Sequence, residues 1–153
     1  MSVTLKKNGP MKAGLSNGMR IYVADNNPVY RDLLKLVLEQ NGHSVRLFED
    51  GYYLLKALRI NKTANIQRPD LIICDVNMRV MGGLELFDEM SSSGQYPGTI
   101  PFVFLTDSSD VEIPELPKTE NKYAVFNKSE LLRPLTETIQ KVLPASVITQ
   151  TIQ

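Results

Sequence analysis

The sequence is poor in the residues on which many kinds of site depend. It has a single cysteine, Cys74, so no internal disulfide can form, nothing points to an oxidising compartment, and a cytoplasmic location is expected. Its single histidine, His43, follows Gly42 at the end of an expected helix and reads as a surface turn residue. Histidine-based catalysis and multi-histidine metal sites are thereby without their residues. Neither sign of charge is in excess: 17 Lys and Arg balance 17 Asp and Glu over 153 residues. No overall field draws the chain to nucleic acid or to an anionic membrane. Long apolar runs are missing too, far short of the ~20 residues a membrane-spanning helix needs, and no apolar segment of signal-peptide type follows Lys6 and Lys7. A chain of this length fits one domain with a real core.

Three segments are expected. Residues 1–19 carry Lys6, Lys7 and Lys12, no acid, and the breakers Gly9, Pro10, Gly14 and Gly18, which read as a flexible leader. Residues 20–143 form the domain. Pro144 ends the periodic pattern, leaving 144–153 as a tail. Within the domain, strand-like and helix-like stretches alternate. Arg20 to Ala24 is a short apolar run that stops at the polar turn Asp25-Asn26-Asn27-Pro28, and a helix follows to Gln40 with Val29, Leu33, Leu34, Val37 and Leu38 at helical spacing. Ser44 to Phe48 and Tyr52 to Ile60 repeat the pattern, with a polar connection from Asn61 to Pro69. Leu71-Ile72-Ile73-Cys74 is an unbroken apolar run, as a central parallel strand covered on both faces requires, and Leu84 to Met90 is the helix after it. Phe102 to Leu105 and Tyr123 to Phe126 supply two more strands. Pro114 and Pro117 interrupt the helix expected between them, and Pro134 opens a last helix with Leu135, Ile139, Val142 and Leu143 on one face. The fold class is therefore α/β, a flavodoxin-like doubly wound parallel sheet of five strands with helices on both faces.

In such a sheet the loops leaving the carboxyl ends of the strands share one edge, and sites form there. Asp25 and Asn26 follow the first strand, Asp75 the third, Thr106 the fourth and Lys128 the fifth. A hard cation such as Mg²⁺ takes one or two carboxylates, neutral oxygens and water, which gives Asp25 and Asp75 a metal role. A carboxylate can also attack a phosphoryl donor, with positively charged groups and hydroxyls neutralising the phosphoryl oxygens. Asp75, at the tip of the most apolar strand, is the best nucleophile, and Thr106 and Lys128 are placed to meet those oxygens. Asn26 and Asn27 are equally readable as plain turn residues.

These segments resemble the response-regulator receiver domains of two-component signalling. The stretch Ile21 to Pro28 is similar to the family's first strand with its acidic pair. Pro69 to Met78, running on through Met81-Gly82-Gly83-Leu84-Glu85-Leu86, is similar to its phosphoacceptor segment. Pro101 to Thr106 resembles its hydroxyl segment and Phe126-Asn127-Lys128 its lysine segment, in order, over roughly Arg20 to Leu143. The resemblance implies that Asp75 is the phosphoacceptor, that Asp25, Asn26, Asp75 and the backbone carbonyl of Asn77 hold Mg²⁺, and that Thr106 and Lys128 bond phosphoryl oxygens. It implies a histidine kinase or phosphotransfer protein as donor, an output protein as partner, and no enzymatic role beyond the domain's own phosphorylation and dephosphorylation. No direct contact with nucleic acid or membrane is expected.

The departures from the family pattern define an alternative. Asn26 replaces the second acid and is expected to weaken Mg²⁺ binding. Arg79 and Ser129 replace prolines, Asp107 replaces a small residue after the hydroxyl, and Val125 stands where an aromatic often lies. A pseudo-receiver, an interaction module that works without phosphorylation, is the reading these favour. An aspartate-nucleophile phosphatase would carry a second acid two positions after the nucleophile, where this chain has Asn77. A flavin-binding flavodoxin would carry a phosphate loop rich in Ser, Thr and Gly after the first strand, and none is written there.

Overall fold

A computed structural model describes residues 18–92, 100–107 and 123–130. The segment with Pro114 and Pro117, the last helix expected from Pro134, the tail and nearly all of the leader lie outside the described residues. The elements in order are β1 (Arg20–Ala24), α1 (Pro28–Gln40), β2 (Ser44–Phe48), α2 (Gly51–Thr63), β3 (Leu71–Asp75), α3 (Gly83–Ser92), β4 (Phe102–Thr106) and β5 (Tyr123–Asn127), followed by a short 3₁₀ turn, Lys128–Glu130. The strands form one parallel sheet in the order β2-β1-β3-β4-β5. The sheet is built outward from the middle, first to β2 and then across β1 to β3. That reversal leaves a crevice at the carboxyl ends of β1 and β3, where ligands bind in open sheets of this kind.

Alternation along each strand divides the core into two layers. Ile21, Val23, Leu71, Ile73, Val103 and Leu105 pack with Leu34 and Leu38 of α1 on one face. On the other face Tyr22, Ala24, Ile72, Cys74, Phe102 and Phe104 pack with Leu54, Leu55 and Leu58 of α2 and with Leu86, Phe87 and Met90 of α3. Every residue of β3 and of β4 is buried, which is why both are written as apolar runs rather than in alternation. The edge strand β2 alternates exposed and half-buried positions up to Phe48. Helix α1 starts where Asn27 accepts N–H bonds from Val29 (3.0 Å) and Tyr30 (3.2 Å), with Pro28 at its first position. It stops at Asn41-Gly42, where Gly42 takes φ +88°, a left-handed conformation that suits glycine.

Three expectations are corrected. His43 is buried, not a surface turn residue: its Nδ1 accepts the Met19 N–H at 3.0 Å, and desolvation lowers its pKa to about 4. Met19, placed in the leader by its sequence, is 4% exposed and its carbonyl accepts the Ser44 N–H at 2.8 Å, so it packs as part of the domain. Asn61 belongs to α2 rather than to a polar connection. It is buried, and its Nδ2 donates to the Tyr22 hydroxyl at 2.7 Å. A remote partner makes each of these residues an interior one, and no local pattern displays that partner.

Candidate functional site

Strand ends set the positions. Register pairs Ala24 with Cys74, Asp75 with Leu105 and Thr106 with Asn127, so Asp25, Asp75, Thr106 and Lys128 emerge along one edge. Asp25, Asp75 and Thr106 are all buried. Lys128, just beyond β5, extends its ammonium between the two acids, with Nζ 2.7 Å from Asp25 Oδ2 and 2.9 Å from Asp75 Oδ2. The contact with Asp75 is a hydrogen bond. Asp25 Oδ2 lies closer still to the ammonium, a charge-assisted contact of short length. The remaining carboxylate oxygens are tied to their own turns: Asp25 Oδ1 accepts the Asn27 N–H at 2.8 Å, and Asp75 Oδ1 accepts the Asn77 N–H at 3.1 Å.

Burial raises the pKa of Asp75, and the Lys128 bond and the Asn77 N–H offset part of that rise. Burial pulls on Lys128 in the opposite sense, but the Asp25 and Asp75 carboxylates outweigh it and hold the ammonium above its ordinary value. Two carboxylates and one ammonium leave the buried cluster with net negative charge. Asp107 adds a third carboxylate at the rim, mostly exposed, with Oδ1 3.8 Å from Lys128 Nζ.

The donor chemistry fits a hard divalent cation. Two buried carboxylates stand at the turns that carry Asn26 and Asn77. Among the described residues no three acidic, histidine or cysteine side chains gather into a metal cluster. An ion here would rest on two carboxylates, neutral oxygens and water, the coordination Mg²⁺ accepts. The side chains of Asn26 and Asn77 are exposed. Cys74 lies fully buried beneath the site, and its thiol pKa is pushed well up by burial and by the neighbouring acids, so it is an inert core residue.

Two residues that sequence reasoning passed over are part of this arrangement. Tyr30, on the first turn of α1, donates its hydroxyl to the Lys128 carbonyl at 3.2 Å and sets its ring 4.9 Å from Nζ. Burial first, then Asp25, Asp107 and Asp75, hold its hydroxyl well above the usual tyrosine range, so it stays a neutral donor. Asp50, between β2 and α2, binds the loop that follows Asp75. Its place before Gly51 was legible as a helix cap; its bonds to residues thirty positions on were not.

The sequence matches the family model for the response regulator receiver domain over residues 21–140. It is 33% identical to the response regulator MprA of Mycobacterium sp. (strain KMS) over 93 residues, which is 61% of this chain and 36% of that protein. It is 32% identical to the DNA-binding transcriptional regulator NtrC of Proteus hauseri over 92 residues, 60% of this chain and 18% of that protein. The match therefore spans about a third or less of these relatives' length. Among solved structures, the Vibrio cholerae chemotaxis protein CheY4 aligns with a TM-score of 0.67 and 27% identity, covering 82% of this chain and 99% of that one. The Thermotoga maritima response regulator TrrA, solved in complex with Mg²⁺-BeF, aligns with a TM-score of 0.64 and 27% identity, covering 81% and 98%.

Proposed function

This chain belongs to the response regulator receiver domain family, and from that premise we propose that it is a phosphorylation switch whose phosphoacceptor is Asp75. The carrying observation is the meeting of Asp25 from β1, Asp75 from β3 and Lys128 from β5 within one ion-paired cluster at the sheet's crevice. In this reading a carboxylate oxygen of Asp75 attacks the phosphorus of a phosphohistidine on a histidine kinase or phosphotransfer protein. The P–N bond breaks, the donor imidazole leaves, and an acyl phosphate remains on Asp75. Lys128 exchanges its bond to Asp75 Oδ2 for one to a phosphoryl oxygen, and Thr106, at the end of β4, donates its hydroxyl to another. Bound Mg²⁺, held by Asp25, Asp75 and oxygens of Asn26 and Asn77, would neutralise charge on the phosphoryl group. The exchange of partners by Lys128 and Thr106 changes the surface around β4 and β5, and an output protein reads that change. No helix among the described residues is long and apolar enough to cross a membrane.

A second reading, the pseudo-receiver, draws on Asp107, whose carboxylate already stands 3.8 Å from the ammonium that a phosphoryl group would need. Sustained phosphatase turnover is not favoured, because Asn77 offers an amide where a general acid would be required. The deciding measurement is intact mass after incubation with acetyl phosphate and Mg²⁺, with Asp75→Asn as control. A single phosphoryl adduct, absent from Asp75→Asn, is expected. An adduct that persists in Asp75→Asn rejects Asp75 as acceptor, and no adduct on the wild type supports the pseudo-receiver.

A further inference from the structure

The loop between β3 and α3 carries Asn77 and turns back on the strand it leaves, and its shape is held from outside. Asp50, 4% exposed, accepts three backbone N–H groups: Tyr52 and Met81 at 2.9 Å on Oδ1 and Val80 at 2.9 Å on Oδ2. Both oxygens accept, so one carboxyl group meets the helix start and the loop at once. The neighbouring Gly51 N–H donates to the Met81 carbonyl at 3.1 Å, and a Cβ at Gly51 would stand 2.5 Å from that oxygen. At the far end of the loop a Cβ at Gly82 would lie 2.1 Å from the Val76 carbonyl oxygen, and one at Gly83 2.8 Å from that of Asp75. The segment from Val76 to Gly82 is thus folded against the end of β3 at backbone contact distance. Its outer half is fastened to the start of α2 by three hydrogen bonds, from the Val80 and Met81 N–H groups to Asp50 and from the Gly51 N–H to the Met81 carbonyl.

We infer that Asp50 is a positioning residue for the Asp75 site: by clamping Val80 and Met81 it fixes the course of the loop that presents Asn77. It touches neither phosphoryl group nor metal. Its effect reaches the site through the backbone of residues 76–82, in the way that groups behind metal ligands orient those ligands. The inference rests on the proposed phosphorylation and Mg²⁺ binding at Asp75.

Two substitutions separate the clamp from the helix cap. Serine and asparagine cap helices about as well as aspartate, so α2 keeps its start in both. Asp50→Ser is too short to reach the loop. Asp50→Asn keeps one acceptor oxygen and turns an amide donor toward the second N–H, so it retains part of the clamp. Mg²⁺ titrations of the full chain are expected to show affinity lowered roughly tenfold or more in Asp50→Ser and less in Asp50→Asn. Faster amide exchange at Val80 and Met81 should accompany this, with the β1 and β3 amides unchanged. Phosphorylation by acetyl phosphate should slow at limiting Mg²⁺ and recover at saturating Mg²⁺, which a defect of overall folding would not do. A competent wild type with Asp50→Ser equal to it in Mg²⁺ affinity overturns the role of Asp50 alone. A wild type that takes neither Mg²⁺ nor phosphoryl group overturns the switch reading, and the role of Asp50 with it.

Discussion

Tyr30 touches Lys128 in two ways that substitution can take apart. Tyr30→Phe keeps the ring beside the ammonium and loses the bond to the Lys128 carbonyl, a loss of about 1 kcal/mol for a single hydrogen bond. Tyr30→Leu also loses the cation–π contact, worth roughly 0.5 to 2 kcal/mol. Lys128 should therefore be held less firmly in the order wild type, Phe, Leu. Initial rates of Asp75 phosphorylation by acetyl phosphate are expected to fall in that order, and equal rates in all three would show that the ring does not help hold the lysine. Asn26 makes a separate prediction. Its side chain is exposed beside the buried Asp25. An added carboxylate at ~4 Å from a divalent ion gains several kcal/mol by Coulomb's law at an effective dielectric of ~20. Solvent around an exposed group removes most of this. Asn26→Asp should still bind Mg²⁺ about tenfold more tightly, while a further acid beside Asp25 and Asp75 lowers the metal-free melting midpoint. Titration calorimetry and melts with and without Mg²⁺ read both, and unchanged affinity would mean that position 26 does not face the ion. At this scale the strand-end residues were readable because each follows an apolar run. Tyr30 and Asp50 were not, because their partners lie 98 and about 30 positions away in the chain.

Among the elements, the joint between Met19, β2 and the end of α1 carries a pH dependence. Neutral His43 accepts the Met19 N–H, and its folded pKa of about 4 lies below the unfolded value near 6.5. Between those values the unfolded chain binds more protons, so stability is complete above pH 6.5 and falls as the pH drops toward 4. Over pH 6.5 to 5 the loss is about 2 kcal/mol at 1.36 kcal/mol per unit. Urea midpoints measured across that range should slope for the wild type and flatten for His43→Gln, which keeps a neutral acceptor. Parallel slopes would assign the dependence to other groups. Helix α3 makes a second prediction, since Phe87 meets Phe102, Phe104 and Tyr123 edge-on or tilted with ring centroids 5.4 to 6.1 Å apart. Phe87→Ala should cost roughly 3 to 5 kcal/mol in urea denaturation, and a cost under 1 kcal/mol would mean that the aromatic cluster closes over the gap. The helices were readable from apolar spacing, whereas their ends were not. Helix α2 runs on through Asn61 to Thr63, three polar residues, because Asn61 finds the Tyr22 hydroxyl in the interior.

For the molecule as a whole, the parallel sheet was legible because strands covered on both faces are written as unbroken apolar runs, and β3 and β4 are such strands. What the runs do not display is how a strand at the sheet's edge is tied to its centre. Lys128 makes that tie, leaving the end of β5 and reaching across to the acids that close β1 and β3. Its side chain is 11% exposed, and those of Asp25 and Asp75 are 0% and 2% exposed, so solvent screens the cluster little. Replacing Lys128 with methionine keeps an unbranched stem and removes the charge. Two buried carboxylates then face each other without a cation, a change that costs about 3 to 5 kcal/mol where a buried pair is broken. Asp75→Asn acts in the opposite sense, because Asp25 still pairs with the ammonium and the charge removed is one that burial and Asp25 already disfavour. In EDTA the order of stability is therefore Asp75→Asn at or above wild type, with Lys128→Met lowest. At the proposed site Mg²⁺ would bind the folded chain and supply the missing positive charge, so it should raise the melting midpoint of Lys128→Met more than that of the wild type. Urea denaturation followed by circular dichroism, in EDTA and in excess Mg²⁺, measures each step. If Lys128→Met unfolds at the wild-type midpoint in EDTA, the ammonium is not the counter-charge on which the joined sheet depends.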